Sequence, residues 1–344
     1  MVSKRGGGQR RPPVRKTSQV RLSRRVPRFA VVRPRPEGIR YIRADGTPNW
    51  TQWLRLREGE VKSVASHPAI TVATSANILE ALEVAAKHNV RGLPIANAGD
   101  GRLAGIVTAL DMVNYLGGGE YYNIVVNRHK KNIYKALRDE SIMSIANPTP
   151  VYASITDNLD SVIHMMFETG VGIVPVVWED GTIYGVITEH DIVKRYSGDL
   201  LGVRVGDIAT RNVVTVNIEA PIVEAARIMV REGFRRLPVV SEAGDTVKGI
   251  ISAKDIVRFF GSHEAFKDLK TTNIEEPLST PVYELMTAEF YTIRDDADVG
   301  EAAQHMAEQG VSFLLVTDEN DSLIGIITER DVLNAIAMRG PEKA

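Results

Sequence analysis

The stretch Gly325-Ile-Ile-Thr-Glu-Arg-Asp331 decides the fold, because it is one of four versions of a single motif. The motif consists of glycine, two apolar residues, serine or threonine, any two residues and aspartate. Its copies cover residues 105–111, 185–191, 249–255 and 325–331. A motif that returns at long intervals along a chain indicates internal repeats of one structural unit.

Each motif is preceded by the same local patterns. A short apolar stretch comes first: Leu93-Pro-Ile95, Val174-Pro-Val176, Leu237-Pro-Val239 and Leu314-Leu315-Val316. Before it lies an amphipathic helix pattern, apolar at i, i+3, i+4, i+7 and i+8, which starts at Ile78, Leu159, Ile222 or Val299. With a short strand in front of each helix, the unit is predicted as β-α-β-β-α. The alanines at i+3 or i+4 predict a close approach of another helix, and Leu315 in place of proline predicts an altered last repeat.

These patterns divide the chain into five parts. We predict a basic arm over residues 1–44 and repeats over residues 60–119, 140–199, 203–262 and 282–341. A unit of this size buries little surface alone, so we expect two pairs, covering 60–199 and 203–341. Residues 120–139 predict a helical connector in the first pair, and residues 261–281 predict a polar linker in the second.

The repeats resemble cystathionine-β-synthase (CBS) domains, and their two pairs resemble Bateman modules, as in stand-alone archaeal proteins and the gamma subunit of AMP-activated kinase. The resemblance implies an α/β fold in which each pair stacks about a pseudo-two-fold axis and leaves two clefts. It also implies that the clefts bind AMP, ADP or ATP, or less often S-adenosylmethionine. In this family the motif aspartate accepts hydrogen bonds from ribose hydroxyls, and nearby basic residues meet the phosphates.

The motif also makes physical sense as an anion site. A helix N-terminus offers unpaired N–H groups and partial positive charge, and an ionised aspartate can accept hydrogen bonds from a sugar. The same Ser/Thr-x-x-Asp pattern is a capping box, which we predict at all four positions. The expected nucleotide-binding residues are Thr108, Asp111, Thr188, His190, Asp191, Thr215, Arg235, Arg236, Ser252, Lys254, Asp255, Thr328, Arg330 and Asp331.

The third repeat is the best equipped of the four. Arg235, Arg236 and Lys254 are expected to converge beside Asp255, which would be costly without an anion. On the first strands, Thr71, Thr215 and Thr292 could line the adenine pocket, or could be ordinary β-branched strand residues.

Catalysis is not expected. The chain has no cysteine, its histidines show no metal-ligand spacing, and neither a phosphate-binding loop nor a nucleophile elbow occurs. We therefore predict a cytoplasmic, non-enzymatic regulatory protein without a metal, a catalytic residue or a membrane span. It would pass its ligand state to a protein partner that the sequence does not identify, and a homodimer is compatible with the sequence.

The basic arm supports an alternative function. Residues 1–44 have a net charge of +13, while the rest of the chain has −14. Frequent prolines predict disorder in the N-terminal part, and Trp50 and Trp53 are predicted to anchor the arm's end. In the alternative, the arm binds nucleic acid and the repeats are a scaffold. A third reading is a tail that lies along the acidic body.

Overall fold

The computed structural model describes residues 14–22 and 60–338. The strands are β1 (Val14–Thr17), β2 (Val20–Leu22), β3 (Val72–Ala73), β4 (Gly92–Ala96), β5 (Leu103–Thr108), β6 (Ala153–Ser154), β7 (Ile173–Val177), β8 (Ile183–Thr188), β9 (Val216–Asn217), β10 (Arg236–Val240), β11 (Thr246–Ser252), β12 (Phe290–Arg294), β13 (Phe313–Thr317) and β14 (Ser322–Thr328). The helices are α1 (Glu60–Val64), α2 (Ile78–His88), α3 (Ala109–Val113), α4 (Tyr122–Asn127), α5 (Ile133–Arg138), α6 (Leu159–Thr169), α7 (Glu189–Arg195), α8 (Val205–Ile208), α9 (Ile222–Glu232), α10 (Ala253–Gly261), α11 (Glu275–Leu278), α12 (Val282–Leu285), α13 (Val299–Gln309) and α14 (Glu329–Met338).

Each repeat has the predicted β-α-β-β-α order. In every repeat the short first strand pairs in parallel with the second, and the second and third form an antiparallel hairpin. The expectation that Leu315 alters the fourth repeat is wrong. Leu315 pairs with Ile326 in the same register as Pro238 with Ile250. The leucine adopts the same extended backbone, and its side chain is fully buried.

The first helix of each repeat buries the predicted apolar stripe. In α2, for example, Ile78, Ala81 and Leu82 are fully buried. The helix begins where the side chain of Asn77 accepts a hydrogen bond from the Glu80 N–H at 2.9 Å, which satisfies one of the unpaired donors of the first turn.

Within a pair, each repeat is covered by the residues that precede the first strand of its partner. The N–H of Ser66, ahead of β3 in the first repeat, donates to the Val186 carbonyl in β8 at 2.8 Å. In return the N–H of Ile106 in β5 donates to the Asn147 carbonyl, ahead of β6 in the second repeat, at 3.0 Å. The second pair repeats this exchange through Thr210 with Ile326 and Thr287 with Ile250. These contacts confirm the predicted pairing, and α4 and α5 confirm the helical connector.

The two pairs contact each other through helices. The first repeat packs α2 against α10 of the third, and a single apolar core includes residues of both repeats. The second and fourth repeats meet through α7, α13 and α14. The predicted close helix approach is confirmed at Ala226 in α9, which packs against a π-helical turn over Asn114–Gly118. A Cβ added to Gly118 would lie 2.9 Å from the Ala226 carbonyl oxygen.

The N-terminal strands belong to the second pair. They join the sheets of the third and fourth repeats into one eight-stranded sheet, ordered β1-β12-β13-β14-β2-β11-β10-β9. Strand β2 lies between β14 and β11, pairing parallel with one and antiparallel with the other. In the first pair the corresponding hairpins meet directly, since the N–H of Leu103 donates to the Gly181 carbonyl at 3.0 Å.

This placement corrects the prediction of disorder for residues 14–22. Their basic side chains pair with acids of the fourth repeat: Arg15 lies 3.4 Å from Asp321, and Lys16 forms an ion pair with Glu289. This part of the arm therefore lies along the acidic body. The rest of the arm, with Trp50 and Trp53, lies outside the described residues, and its binding to nucleic acid stays a prediction. No helix in the described ranges is long and apolar enough to cross a membrane.

Val20 anchors these strands, since it is only 3% exposed and packs in an apolar cluster with Val247 and Leu323. We expect Val20→Ala to lower the free energy of unfolding of the second pair by about 2 kcal/mol, through lost burial and the cavity left behind. Hydrogen exchange of β11 and β14 would measure the change. The exposed neighbour Ser18, changed to alanine, is the control. Equal protection in both variants would contradict an anchoring role.

Candidate functional site

Each repeat presents its motif where its last strand meets its last helix. The backbone N–H and the hydroxyl of Thr108 donate to Asp111 Oδ2 at 2.8 and 2.6 Å. The corresponding bonds in the other repeats measure 2.8 Å and 2.6 to 2.7 Å, from Thr188 to Asp191, from Ser252 to Asp255 and from Thr328 to Asp331. The predicted capping role is therefore confirmed at all four motifs.

The cap uses only one oxygen of each aspartate. The other oxygen of Asp255 accepts from Arg258 Nη2 at 2.8 Å, and that of Asp191 from the Ser66 hydroxyl at 3.4 Å. Because Ser66 precedes the first strand of the first repeat, the motif of the second repeat faces the opening segment of its pair partner. Burial raises the pKa of Asp111. In the second repeat the motif thus places a carboxylate oxygen at the edge between two paired repeats.

Charged side chains of all four repeats meet between the two pairs. The first and third repeats provide arginines next to their second strands, and the second and fourth provide a glutamate directly after the motif threonine. We call this group the central charge cluster, and it consists of Arg91, Glu189, His190, Arg235, Arg236, Glu329 and Arg330.

The cluster contains two similar triads, one around each glutamate. In the first triad, Glu329 accepts from Arg91 Nη1 at 3.0 Å and lies 2.7 Å from His190 Nδ1. In the second triad, Glu189 accepts from Arg235 Nη1 at 2.8 Å and from Arg330 Nε. Each glutamate is therefore held by cations of the other pair, and the triads differ mainly in having histidine or arginine beside the motif aspartate.

The two glutamates of the cluster are buried, and the arginines around them are only partly exposed and outnumber them. The side chains of Glu189 and Glu329 are each 2% exposed. Burial alone would raise the pKa of Glu189, but the guanidinium groups of Arg235, Arg330 and Arg91 lower it to about 2. The hydrogen bond with Glu329 raises the pKa of His190. Because four guanidinium groups face two carboxylates, the cluster has two positive charges left over before His190 is counted.

Protein groups already receive the three cations that were expected to converge beside Asp255. Glu189 of the second repeat accepts from Arg235. Arg236 donates to the Ser312 carbonyl and hydroxyl at 2.8 and 2.6 Å, and burial lowers its pKa to about 10. Lys254 instead reaches Asn89 Oδ1 at 2.9 Å, so it bonds to the first repeat and not to the cluster.

The remaining predicted residues have separate positions. The structure brings His190, Arg235, Arg236 and Arg330 together, and each motif aspartate lies in the first turn of the last helix of its own repeat. Thr215 is half-buried directly before β9. Thr292 is 5% exposed, and its hydroxyl donates to the Arg15 carbonyl at 3.3 Å, so β1 already covers the edge of its strand.

The family is decided by four separate matches along the chain. The model of the CBS domain matches residues 61–118, 142–198, 205–262 and 282–338. The chain belongs to the CBS-domain family. Among its relatives, protein MJ1225 of Methanocaldococcus jannaschii is 31% identical over 278 residues. The match covers 80% of this chain and 98% of that protein.

Three further comparisons cover most of the chain. A 33.4 kDa protein from the ribosomal RNA operon of Thermofilum pendens is 30% identical over 82% of this chain and 92% of its own. The crystal structure of MJ1225 superposes with a TM-score of 0.73, covering 80% of this chain and 99% of that one. A Pyrococcus horikoshii structure, 22% identical with a TM-score of 0.50, covers 81% and 100% and shares the fold.

Sequence reasoning missed the two glutamates of the cluster. In CBS domains 2 and 4 the motif threonine is followed by Glu189 or Glu329, whereas in domains 1 and 3 the same position holds Ala109 or Ala253. This alternation was a usable signal, because a charged residue at the buried start of a helix requires a partner. Arg91 is not among the expected nucleotide-binding residues, although it contacts both triads.

The described residues also form a cavity away from the motifs and the cluster, but no candidate metal site. A cavity between α2, α5 and the end of α10 is lined by none of the motif or cluster residues; its walls are Leu79, Tyr134, Leu137, Arg138, His263 and Phe266. Across residues 14–22 and 60–338, no group of three or more histidine and carboxylate side chains could hold a metal ion.

Proposed function

We propose that this protein is a non-enzymatic sensor that binds AMP, ADP or ATP in the clefts between its paired CBS domains. In this proposal the motif aspartates accept hydrogen bonds from ribose hydroxyls, with Thr108, Thr188, Ser252 and Thr328 beside them. The phosphates face the central charge cluster, where Arg235, Arg236, Arg330 and His190 provide positive charge. The observation that carries the proposal is the excess of two positive charges in the cluster around the two buried glutamates.

The charge excess supports an anionic ligand for a simple reason. Like charges gathered in a buried region repel one another, and an anion bound there relieves the repulsion. Guanidinium groups match the geometry of phosphate oxygens and bind them through paired hydrogen bonds. MJ1225, which resembles this chain over most of its length, has been described as a proposed archaeal homologue of γ-AMPK. Transmission of the ligand state to a protein partner, in the cytoplasm, completes the proposal.

The test is calorimetric titration of the full chain with AMP, ADP, ATP and S-adenosylmethionine. A fragment that starts at residue 200 is unsuitable, because it lacks β1 and β2 of the second pair. We expect Asp255→Ala to weaken binding by about 1–3 kcal/mol, because a buried acceptor is lost. Asp255→Asn keeps the shape of the side chain but replaces one acceptor oxygen with a donor group, so it separates ligand binding from packing.

The exposed Asp268, changed to alanine, is the matched control. The equivalent variants Asp111→Ala, Asp191→Ala and Asp331→Ala show which clefts are occupied. If Asp255→Ala and the parent protein bind all four compounds equally, Asp255 is not a ligand residue. If the parent protein binds none of them, the proposed function is wrong.

A further inference from the structure

The two buried glutamates already satisfy the cations that the proposed function assigns to phosphate. Arg235 and Arg330 donate to Glu189, while Arg91 and His190 contact Glu329. A carboxylate and a phosphate offer an arginine the same pair of anionic oxygens. A nucleotide whose phosphate reaches these groups must therefore share or replace their hydrogen bonds to the glutamates.

The backbone around the second triad leaves just enough space for this arrangement. A Cβ added at Gly172 would lie 2.6 Å from both Arg235 Nη2 and Glu189 Oε2. The equivalent positions, directly after the apolar residue that follows each first helix, hold Arg91, Arg235 and Ser312. The second domain alone lacks a side chain here, and this lets Glu189 and Arg235 meet.

The triads also connect the two pairs. Glu189 belongs to the first pair and is held by cations of the second, whereas Glu329 belongs to the second pair and is held by cations of the first. Arg91 contacts both triads, since its Nη1 lies 3.0 Å from Glu329 and 3.6 Å from Glu189. A change in the contacts of one glutamate therefore also changes the contacts of basic side chains in the other pair.

We propose that Glu189 and Glu329 are built-in anions that compete with the nucleotide phosphate for the same cations and so couple the two CBS pairs. This proposal rests on the proposed function. A phosphate that binds Arg235 and Arg330 of the second pair releases Glu189 of the first, and a phosphate that binds Arg91 and His190 releases Glu329. Each glutamate lowers nucleotide affinity, and each release reports occupancy of one pair to the other.

The test is a titration of full-length Glu189→Gln with AMP, compared with the parent protein. Glutamine keeps the size of the side chain but removes its charge, so the phosphate no longer competes with a carboxylate. We expect AMP to bind about tenfold more tightly, which corresponds to roughly 1.4 kcal/mol. Glu329→Gln should have the same effect through the first triad. Glu179→Gln, at an exposed turn of the second domain, should bind like the parent.

A second measurement protects the test against misfolding. Without AMP, Glu189→Gln should unfold at a lower temperature than the parent, because buried guanidinium groups lose their counter-charge. With saturating AMP its unfolding temperature should rise more than that of the parent. If the parent binds AMP and Glu189→Gln binds it equally or more weakly, the competition is refuted while the proposed function stands. If neither protein binds AMP, ADP or ATP, both proposals are refuted.

Discussion

Replacing Arg91 by methionine is expected to lower the free energy of unfolding by about 3 kcal/mol. Methionine keeps much of the apolar stem but removes the charge that faces both buried glutamates. Glu329 would keep only its contact with His190, and the Gly172 carbonyl would lose the Arg91 Nη2 donor at 2.8 Å. Breaking a buried ion pair is costly because the remaining carboxylate stays away from water without its partner. Calorimetry of the full chain would measure the loss.

The second half of this experiment is a double variant. If the cost arises from an uncompensated carboxylate, Arg91→Met combined with Glu329→Gln should recover a large part of the stability. Arg102→Met in the same domain is the control, because Arg102 is 60% exposed and its ion pair with Asp100 measures 3.8 Å. An exposed pair of this kind contributes little. Equal losses for Arg91→Met and Arg102→Met would show that the cluster does not hold the pairs together.

The repeat and its local structure could be predicted from the sequence because they depend on short-range patterns. The helix stripe, the hairpin and the capping box each occupy a few neighbouring residues, and the structure confirms them in every domain. Even the close helix approach at Ala226 followed from small residues at helical spacing. The altered last repeat predicted from Leu315 was wrong, because an extended strand accommodates leucine as well as proline.

The composition of the site could be predicted only in part. The motif aspartates and three of the four arginines were identified from repetition and from basic residues beside the motif. The pairing of those arginines was not, because their partners are glutamates of the opposite pair, far away in the chain. No local pattern reports how two Bateman modules face each other. The alternation of glutamate and alanine after the motif residue carries that information only once the modules are placed side by side.

The N-terminal strands likewise could not be predicted from their local sequence. Their basic, proline-flanked sequence is typical of a tail, and composition alone gives residues 14–22 little reason to be ordered. Their order depends on an edge of β12 and a gap between β14 and β11 that exist only in the folded second pair. A short segment of this kind gains its stability from tertiary contacts, such as those of Val20, and not from its own propensity.

The cluster and the helix contacts give the four domains two different connections. Helices α2 and α10 join the first and third domains through apolar packing, which does not depend on a ligand. The triads join the pairs through charge. In the proposed sensor, the packing holds the modules in place while the charged contacts respond to a bound anion. Disrupting the contact between α2 and α10 should therefore lower the stability of the protein without acting directly on the charged contacts.

Gly261→Ala should disrupt this contact and lower the free energy of unfolding by about 3 kcal/mol. A Cβ at Gly261 would lie 2.2 Å from the Leu82 carbonyl oxygen and 2.8 Å from the Ala86 Cβ. The closest obstacle is backbone, which cannot rotate away as a side chain can, so α10 must move off α2 and the shared core must open. The better helix propensity of alanine recovers at most about 1 kcal/mol of this cost.

The measurement is calorimetry of the full chain, with Gly99→Ala in an exposed turn as the control. A Cβ at Gly99 meets only Asn97 Oδ1 at 3.5 Å, so this variant should unfold like the parent. For Gly261→Ala we expect a lower unfolding temperature and a broader or divided transition, because the two pairs no longer unfold as one unit. Unfolding identical to the parent would show that α2 and α10 can separate freely, and the first and third domains would then have to be treated as independent.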